Sequence, residues 1–247
     1  MKLKECLLIK NECYKYGDKM VGDPKGIVVH STGANNPRLA RYVQPISMQN
    51  NYMNILADLG QNIYSNDWNR EGIKACVHAF IGKNIREEIE TYQTLPYNIC
   101  CWGCAYGSKG SYNYNPNAYL QFEICEDDLT NEQYFNSVMK EAQEYCAYLC
   151  RMFDIKVDKI VSHAEAHKLG YASNHADIDH WLKRFNKTMD WFRSEVQKML
   201  DTPIQETKQY FYRVQVGAYN DYNNAIKMKE KLKEKGFDGF IVKAERN

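Results

Sequence analysis

The stretch Gly26-Ile27-Val28-Val29-His30-Ser31-Thr32-Gly33 constrains the chain most. Its run of β-branched residues closes on small polar residues and a glycine, the pattern of a short buried strand that delivers His30 at its end. Three similar segments follow. Ala75–Asn84 runs as a strand into a turn, Ala118–Cys125 as a third strand, and Ile160-Val161-Ser162-His163 as a short strand end. A helix is expected from about Thr130, with Val138, Ala142, Tyr145, Cys146, Leu149 and Cys150 stepping by three and four along one face. Thr188–Leu200 reads as a closing helix. Short strands interleaved with amphipathic helices predict an α/β fold.

The composition changes near the C-terminus. Residues 201–208 turn polar around Pro203 and read as a linker between a domain at 1–200 and a module at 209–247. In that module Tyr212–Tyr219 alternates like a half-buried strand, Asp221–Lys235 is a Lys-rich amphipathic helix stopped by Gly236, and Phe240–Lys243 forms a second strand. A β-α-β unit of this size lies at the lower limit for independent stability.

The net charge of +1 gives no global field that would attract nucleic acid or an anionic lipid surface, so neither is expected as a partner. No apolar run approaches the roughly 18–20 residues of a membrane span. The first ten residues hold no apolar stretch of signal-peptide length, which predicts synthesis and folding in the cytoplasm. Nine cysteines cannot all pair within one chain. Cys100, Cys101 and Cys104 would need a second cysteine pair nearby in the fold to complete a thiolate metal site, and in a reducing cytosol they are expected as small buried apolar groups.

Candidate chemistry gathers around histidine. His30 and His163 sit at strand ends, and His175, Asp177, Asp179 and His180 cluster in Ala172–Trp181. A catalytic zinc takes three protein ligands from such residues and leaves one position open. Ligands from distant strands show no short spacing signature, and a lone histidine is more often a hydrogen-bonded core or surface residue. Glu123 on an alternating strand has an equally plain reading as the solvent-facing neighbour of Phe122.

Four segments, Ile27–Thr32, Val77-His78-Ala79-Phe80-Ile81, Gln121-Phe122-Glu123-Ile124 and Ser162-His163, occur in the order found in type-2 N-acetylmuramoyl-L-alanine amidases. Gly170–Asp177 followed by His180-Trp181 is similar to the variant in phage endolysins of that family. The resemblance covers about residues 20–200. It implies the α/β fold shared with peptidoglycan recognition proteins, a mixed central sheet flanked by helices, together with a Zn2+ cofactor and hydrolysis of the amide between N-acetylmuramic acid and L-alanine in peptidoglycan. It makes His30 and His163 zinc ligands and Asp177 the third, with Asp179, His175 and His180 as rivals. Glu123 matches the strand carboxylate that serves as general base, and His175 stands where relatives place an oxyanion-stabilising Lys. Val77 replaces a Tyr found in some relatives. Trp102, His78 and Tyr112 are expected to contact substrate, His78 as a hydrogen-bonding neighbour of the site.

The C-terminal module resembles part of a SPOR domain through Tyr212–Tyr219, Ala225 and Gly236-Phe237-Asp238. Such a module binds glycan strands and would hold the enzyme at the wall. It is short for the family, and pairing of two chains would complete it. The implied protein is an endolysin that reaches the wall after release from the cytoplasm. The competing expectation is a peptidoglycan-binding protein of the same fold without catalysis.

Overall fold

The structure is a computed structural model, and it describes residues 1–202, 216–237, 239 and 241–242. The chain divides into two compact units, Met1–Pro203 and Ile204–Asn247.

The first unit is built on a six-stranded sheet. In chain order its strands are β1 (Leu3–Glu5), β2 (Ile27–Ser31), β3 (Ala79–Lys83), β4 (Ile89–Gln93), β5 (Leu120–Ile124) and β6 (Ile160–Ser162). Their order across the sheet is β1-β4-β3-β5-β2-β6, with only the β3–β4 hairpin antiparallel. The helices are α1 (Glu12–Tyr16), α2 (Tyr52–Leu59), α3 (Glu132–Phe153), α4 (His163–Leu169), α5 (Asp179–Arg184) and α6 (Met189–Asp201). This is the mixed α/β sheet expected from the sequence. The edge strand β1 and strand β4 were not foreseen, since Leu3-Lys4-Glu5 and Ile89-Glu90-Thr91-Tyr92-Gln93 carry charges that mask an apolar pattern.

Period-two alternation divides the central strands between two faces. Ile27, Val29, Leu120, Phe122, Ile124, Ala79 and Ile81 turn to one side and pack with α3, α5 and α6. The expected stripe on α3 is wholly buried there, around Phe135, Tyr145, Trp181 and Phe192. Asn131 starts α3 by accepting from Tyr134 N at 3.0 Å, and Asp154 ends it in the left-handed region at φ 51°. The opposite face carries Val28, His30, Gln121 and Glu123. All nine cysteines are buried and unpaired, as expected of small apolar groups.

A charged cluster ties β1, β4 and α2 together. Asp58, on α2, accepts from Lys4 Nζ at 2.6 Å, from Tyr92 Oη at 2.5 Å and from Arg86. Burial works against its ionisation, but these donors hold it well below the usual carboxylate range. Glu90 shares Lys4 and is pushed up by desolvation, so it offsets part of the effect. A depressed carboxylate stabilises the fold above its unfolded pKa of about 4 and loses that contribution as pH falls through the folded value. Asp58→Ala is expected to cost about 2–4 kcal/mol at pH 7. The penalty should shrink in acid, and a constant one across urea melts from pH 7 to pH 3 would contradict this account.

In the second unit, α7 (Tyr222–Glu234) begins at Asp221, whose carboxylate accepts from Asn223 N at 2.8 Å and Asn224 N at 3.3 Å. It stops as the sequence predicts: Gly236 takes φ +84°, and Phe237 N donates back to Leu232 O at 3.0 Å. The expected strands fall largely outside the described residues, at 212–215, 240 and 243, as do residues 203–208 of the expected linker. Residues 216–219 form no strand among the described residues.

Candidate metal centre

Three elements deliver the donor atoms. His30 lies on β2, in register with Glu123 on the neighbouring β5. His163 is the first residue of α4, just after β6. Ser162 caps that helix by accepting from Glu165 N at 3.0 Å, and Glu165 Oε2 accepts from Ser162 N at 3.1 Å. Arg193 of α6 binds both oxygens of Glu165, at 2.8 and 3.0 Å, and so holds the α4 N-terminus in place. Asp177 comes from the loop between α4 and α5. That loop leaves the helix through Gly170, at φ +94°, against which Gly107 packs so closely that a Cβ would meet the Gly170 carbonyl at 2.5 Å.

The donors converge. His30 Nδ1 is 3.2 Å from Asp177 Oδ2, His163 Nδ1 is 3.0 Å from His30 Nδ1, and His163 Nδ1 is 3.5 Å from Asp177 Oδ2. Ligands bound to zinc at about 2.0–2.1 Å stand about 3.3 Å apart along a tetrahedron edge, so this spacing suits a small tetrahedral cation. Asp177 belongs to this group, and its rivals Asp179, His175 and His180 stand outside it.

Hydrogen bonding settles how His30 presents itself. The backbone N–H of Cys104 donates to Asn113 Oδ1 at 3.0 Å, which fixes the orientation of that carboxamide. Gln121 must then donate to the same oxygen through Nε2, at 2.9 Å. Its Oε1 faces His30 Nε2 at 3.0 Å and accepts a hydrogen bond from its N–H. The His30 Nδ1 lone pair is therefore aimed at Asp177 and His163. Ser173 Oγ lies 3.3 Å from His163 Nε2 and plays the matching part. Two ring nitrogens and a carboxylate brought this close repel unless a cation or proton lies among them. Against the cost of burial, where no cation lies there, a proton on the Nδ1 atoms of His163 and His30 holds Asp177 well below the usual carboxylate range.

A cleft of about 1000 Å³ opens over these groups. Glu123 lines it with Oε2 buried and unpartnered. Burial pushes its carboxyl up, and the nearby charges of Asp177 and Glu126 push it further. His175 stacks on His163 at 4.8 Å and is mostly exposed, its Nδ1 4.0 Å from Asp177 Oδ1. His180 reaches the cleft wall and pairs with Glu126 at 2.9 Å, which raises its pKa. Trp102 also lines the cleft, as do the stacked rings of Tyr106 and Tyr114.

Two expected contacts do not reach the cleft. His78 is wholly buried behind Gln121: its Nε2 donates to Ile99 O at 3.0 Å, its Nδ1 accepts from Gln121 N at 3.1 Å, and burial pushes it down to about 4. Tyr112 is stacked between Tyr119, at 3.8 Å, and Tyr171, at 4.8 Å, as part of the packing beneath the loop. Gln121, Asn113, Ser173 and Glu126 do reach or support the site and had no sequence signal, because their partners are set by the fold.

The model of the N-acetylmuramoyl-L-alanine amidase family matches residues 20–179, and that of the SPOR domain matches residues 172–243, a span that takes in α5 and α6 as well as most of the second unit. The hydrolase AmiA of Staphylococcus aureus, solved in complex with its ligand, is similar in fold at 21% identity and a TM-score of 0.51, over 81% of this chain and 83% of that one. A mutant endolysin from Bacillus subtilis is similar at 18% identity and a TM-score of 0.51, over 79% of this chain and 99% of that one. No curated protein matches the chain in sequence. Since the family match covers most of the chain and includes β2, β5, α4 and the loop bearing Asp177, the chain belongs to the N-acetylmuramoyl-L-alanine amidase family and carries a SPOR domain toward its C-terminus.

Proposed function

We propose that this protein is a zinc-dependent amidase that cuts the bond between the lactyl group of N-acetylmuramic acid and L-alanine in peptidoglycan. The observation that carries this reading is the convergence of His30 Nδ1, His163 Nδ1 and Asp177 Oδ2 beside the unpartnered Glu123 carboxylate. Two neutral imidazoles and one carboxylate suit zinc and leave a coordination position for chemistry. When bound, zinc acidifies a water molecule and polarises the scissile carbonyl.

The chain's own groups do the rest. Glu123 takes a proton from the attacking water and returns it to the leaving amine of L-alanine, a task suited to a carboxyl pushed upward. His175, at the exposed side of His163, donates to the oxyanion of the tetrahedral intermediate. Trp102 and the Tyr106–Tyr114 pair supply rigid aromatic surface for the glycan and peptide. The SPOR domain binds the wall and raises the local concentration of the catalytic unit. We place the protein as an endolysin, made in the cytoplasm and acting after release, with two chains pairing through the C-terminal module.

Mass spectrometry of purified peptidoglycan digested by the protein tests the reaction. Stem peptides beginning with L-alanine should appear, vanish under a zinc chelator and return with added zinc. Intact glycan that still sediments with the protein would mean binding without catalysis.

A further inference from the structure

The hydrogen-bonded chain behind His30 ends at the cleft. Asn113 is only 3% exposed yet lines the cleft wall. Its Oδ1 accepts from Cys104 N at 3.0 Å, Cys104 Sγ at 3.1 Å and Gln121 Nε2 at 2.9 Å. Three donors saturate a carboxamide oxygen and leave the group no freedom to flip. The amino end, Nδ2, must point the other way, and it meets no acceptor among the described residues. Trp102 lines the same cleft, and its Nε1 is buried and without a partner. A buried N–H left unpaired costs free energy, and a ligand oxygen that met Trp102 Nε1 together with Asn113 Nδ2 would relieve that cost.

Gly103 shows how closely the chain is packed. A Cβ there would lie 2.5 Å from Gln121 Oε1, the atom that accepts from His30. Gln121 Oε1 cannot retreat freely, because Nε2 of the same carboxamide is tied to Asn113. Position 103 therefore accepts glycine so that Gln121 can reach His30.

We propose that Asn113 Nδ2 and Trp102 Nε1 form a substrate subsite for a carbonyl oxygen of an N-acetylmuramoyl peptide, and that Asn113 and Gln121 position His30 for the metal. The subsite rests on the amidase reading for its ligand. The positioning chain is independent of it. Asn113 thus serves two ends of one carboxamide: oxygen toward the metal ligand, nitrogen toward substrate.

Substitutions separate the two roles. Asn113→Asp keeps the acceptor for Gln121 and Cys104 but replaces the cleft-facing donor with an anionic oxygen. Trp102→Phe keeps a ring and removes only the N–H. Gly103→Ala leaves both donors and forces Gln121 off His30. Binding of N-acetylmuramoyl-L-alanyl-D-isoglutamine is measured by calorimetry on the full-length, zinc-loaded chain carrying Glu123→Gln, and zinc affinity by chelator competition. Asn113→Asp should weaken peptide binding by about tenfold or more and Trp102→Phe by about five- to tenfold. Both should hold zinc as the parent does. Gly103→Ala should weaken zinc by about 10–100-fold, the usual effect of losing a group that orients a ligand.

Repeating the titration with L-alanyl-D-isoglutamine alone narrows the oxygen: a loss that persists assigns a carbonyl of the stem peptide, and one that disappears assigns a carbonyl of the N-acetylmuramoyl part, acetamido or lactyl. Parent-like binding by both Asn113→Asp and Trp102→Phe, or no binding by the parent, would overturn the subsite. Parent-like zinc affinity in Gly103→Ala would overturn the positioning chain. Binding without hydrolysis by the wild-type chain would remove the amidase reading and leave the subsite standing.

Discussion

Replacing His30 or His163 by alanine is expected to abolish metal retention and hydrolysis together. Each supplies one of three donor atoms lying 3.0–3.5 Å apart, so either loss leaves two protein ligands where a catalytic zinc needs three. The fold should survive both changes. His163→Ala leaves the Ser162–Glu165 cap and its Arg193 clamp in place. His30→Ala strands Gln121 Oε1, a cost of about 1–3 kcal/mol against a large core. Because the three ligands act as a unit, the double variant should be no worse than either single one. Zinc by elemental analysis, circular dichroism and muropeptide release form the test. Stoichiometric zinc in either folded variant would displace that histidine from the ligand set.

Glu123→Gln is expected to keep zinc and lose rate by about 10²–10⁴-fold, the range for a general base. The side chain keeps its size and place on β5, and Glu123 contributes no atom to the donor group. The sign of the stability effect follows from the raised pKa. A carboxyl pushed up in the folded state costs stability wherever it is ionised, so the neutral amide should leave the metal-free protein as stable at pH 8 or more so. Slow turnover with full zinc and undiminished stability is the expected signature. Full rate would transfer proton handling to another group, and lost zinc would make Glu123 part of the metal site.

The pairing of His30 with Glu123 was partly legible because both sit on strands whose residues alternate between core and cleft. Val29 and Phe122 face α3, so His30 and Glu123 must face the other way. His78 and Tyr112 show the limit of that reasoning. His78 shares the outward face of β3's approach, yet the packing around Gln121 and Ile99 encloses it, and enclosure is a property of neighbouring segments. Tyr112 stands one residue from Asn113, which lines the cleft, and no local rule says which of the two turns inward.

The sequence by itself determined what depends on nearby residues. Alternating and β-branched runs place β2, β3, β5 and β6, apolar spacing places α3 and α6, and the glycine after a Lys-rich helix places the end of α7, because side-chain direction and backbone freedom repeat over a few residues. The tertiary structure alone decided which carboxylate joins His30 and His163, which nitrogen of His30 is free, and that Asn113 and Gln121 stand behind it. Those choices depend on parallel strand register and on a loop 147 residues from His30, and a hydrogen bond of 3 Å leaves no periodic trace in the chain that makes it.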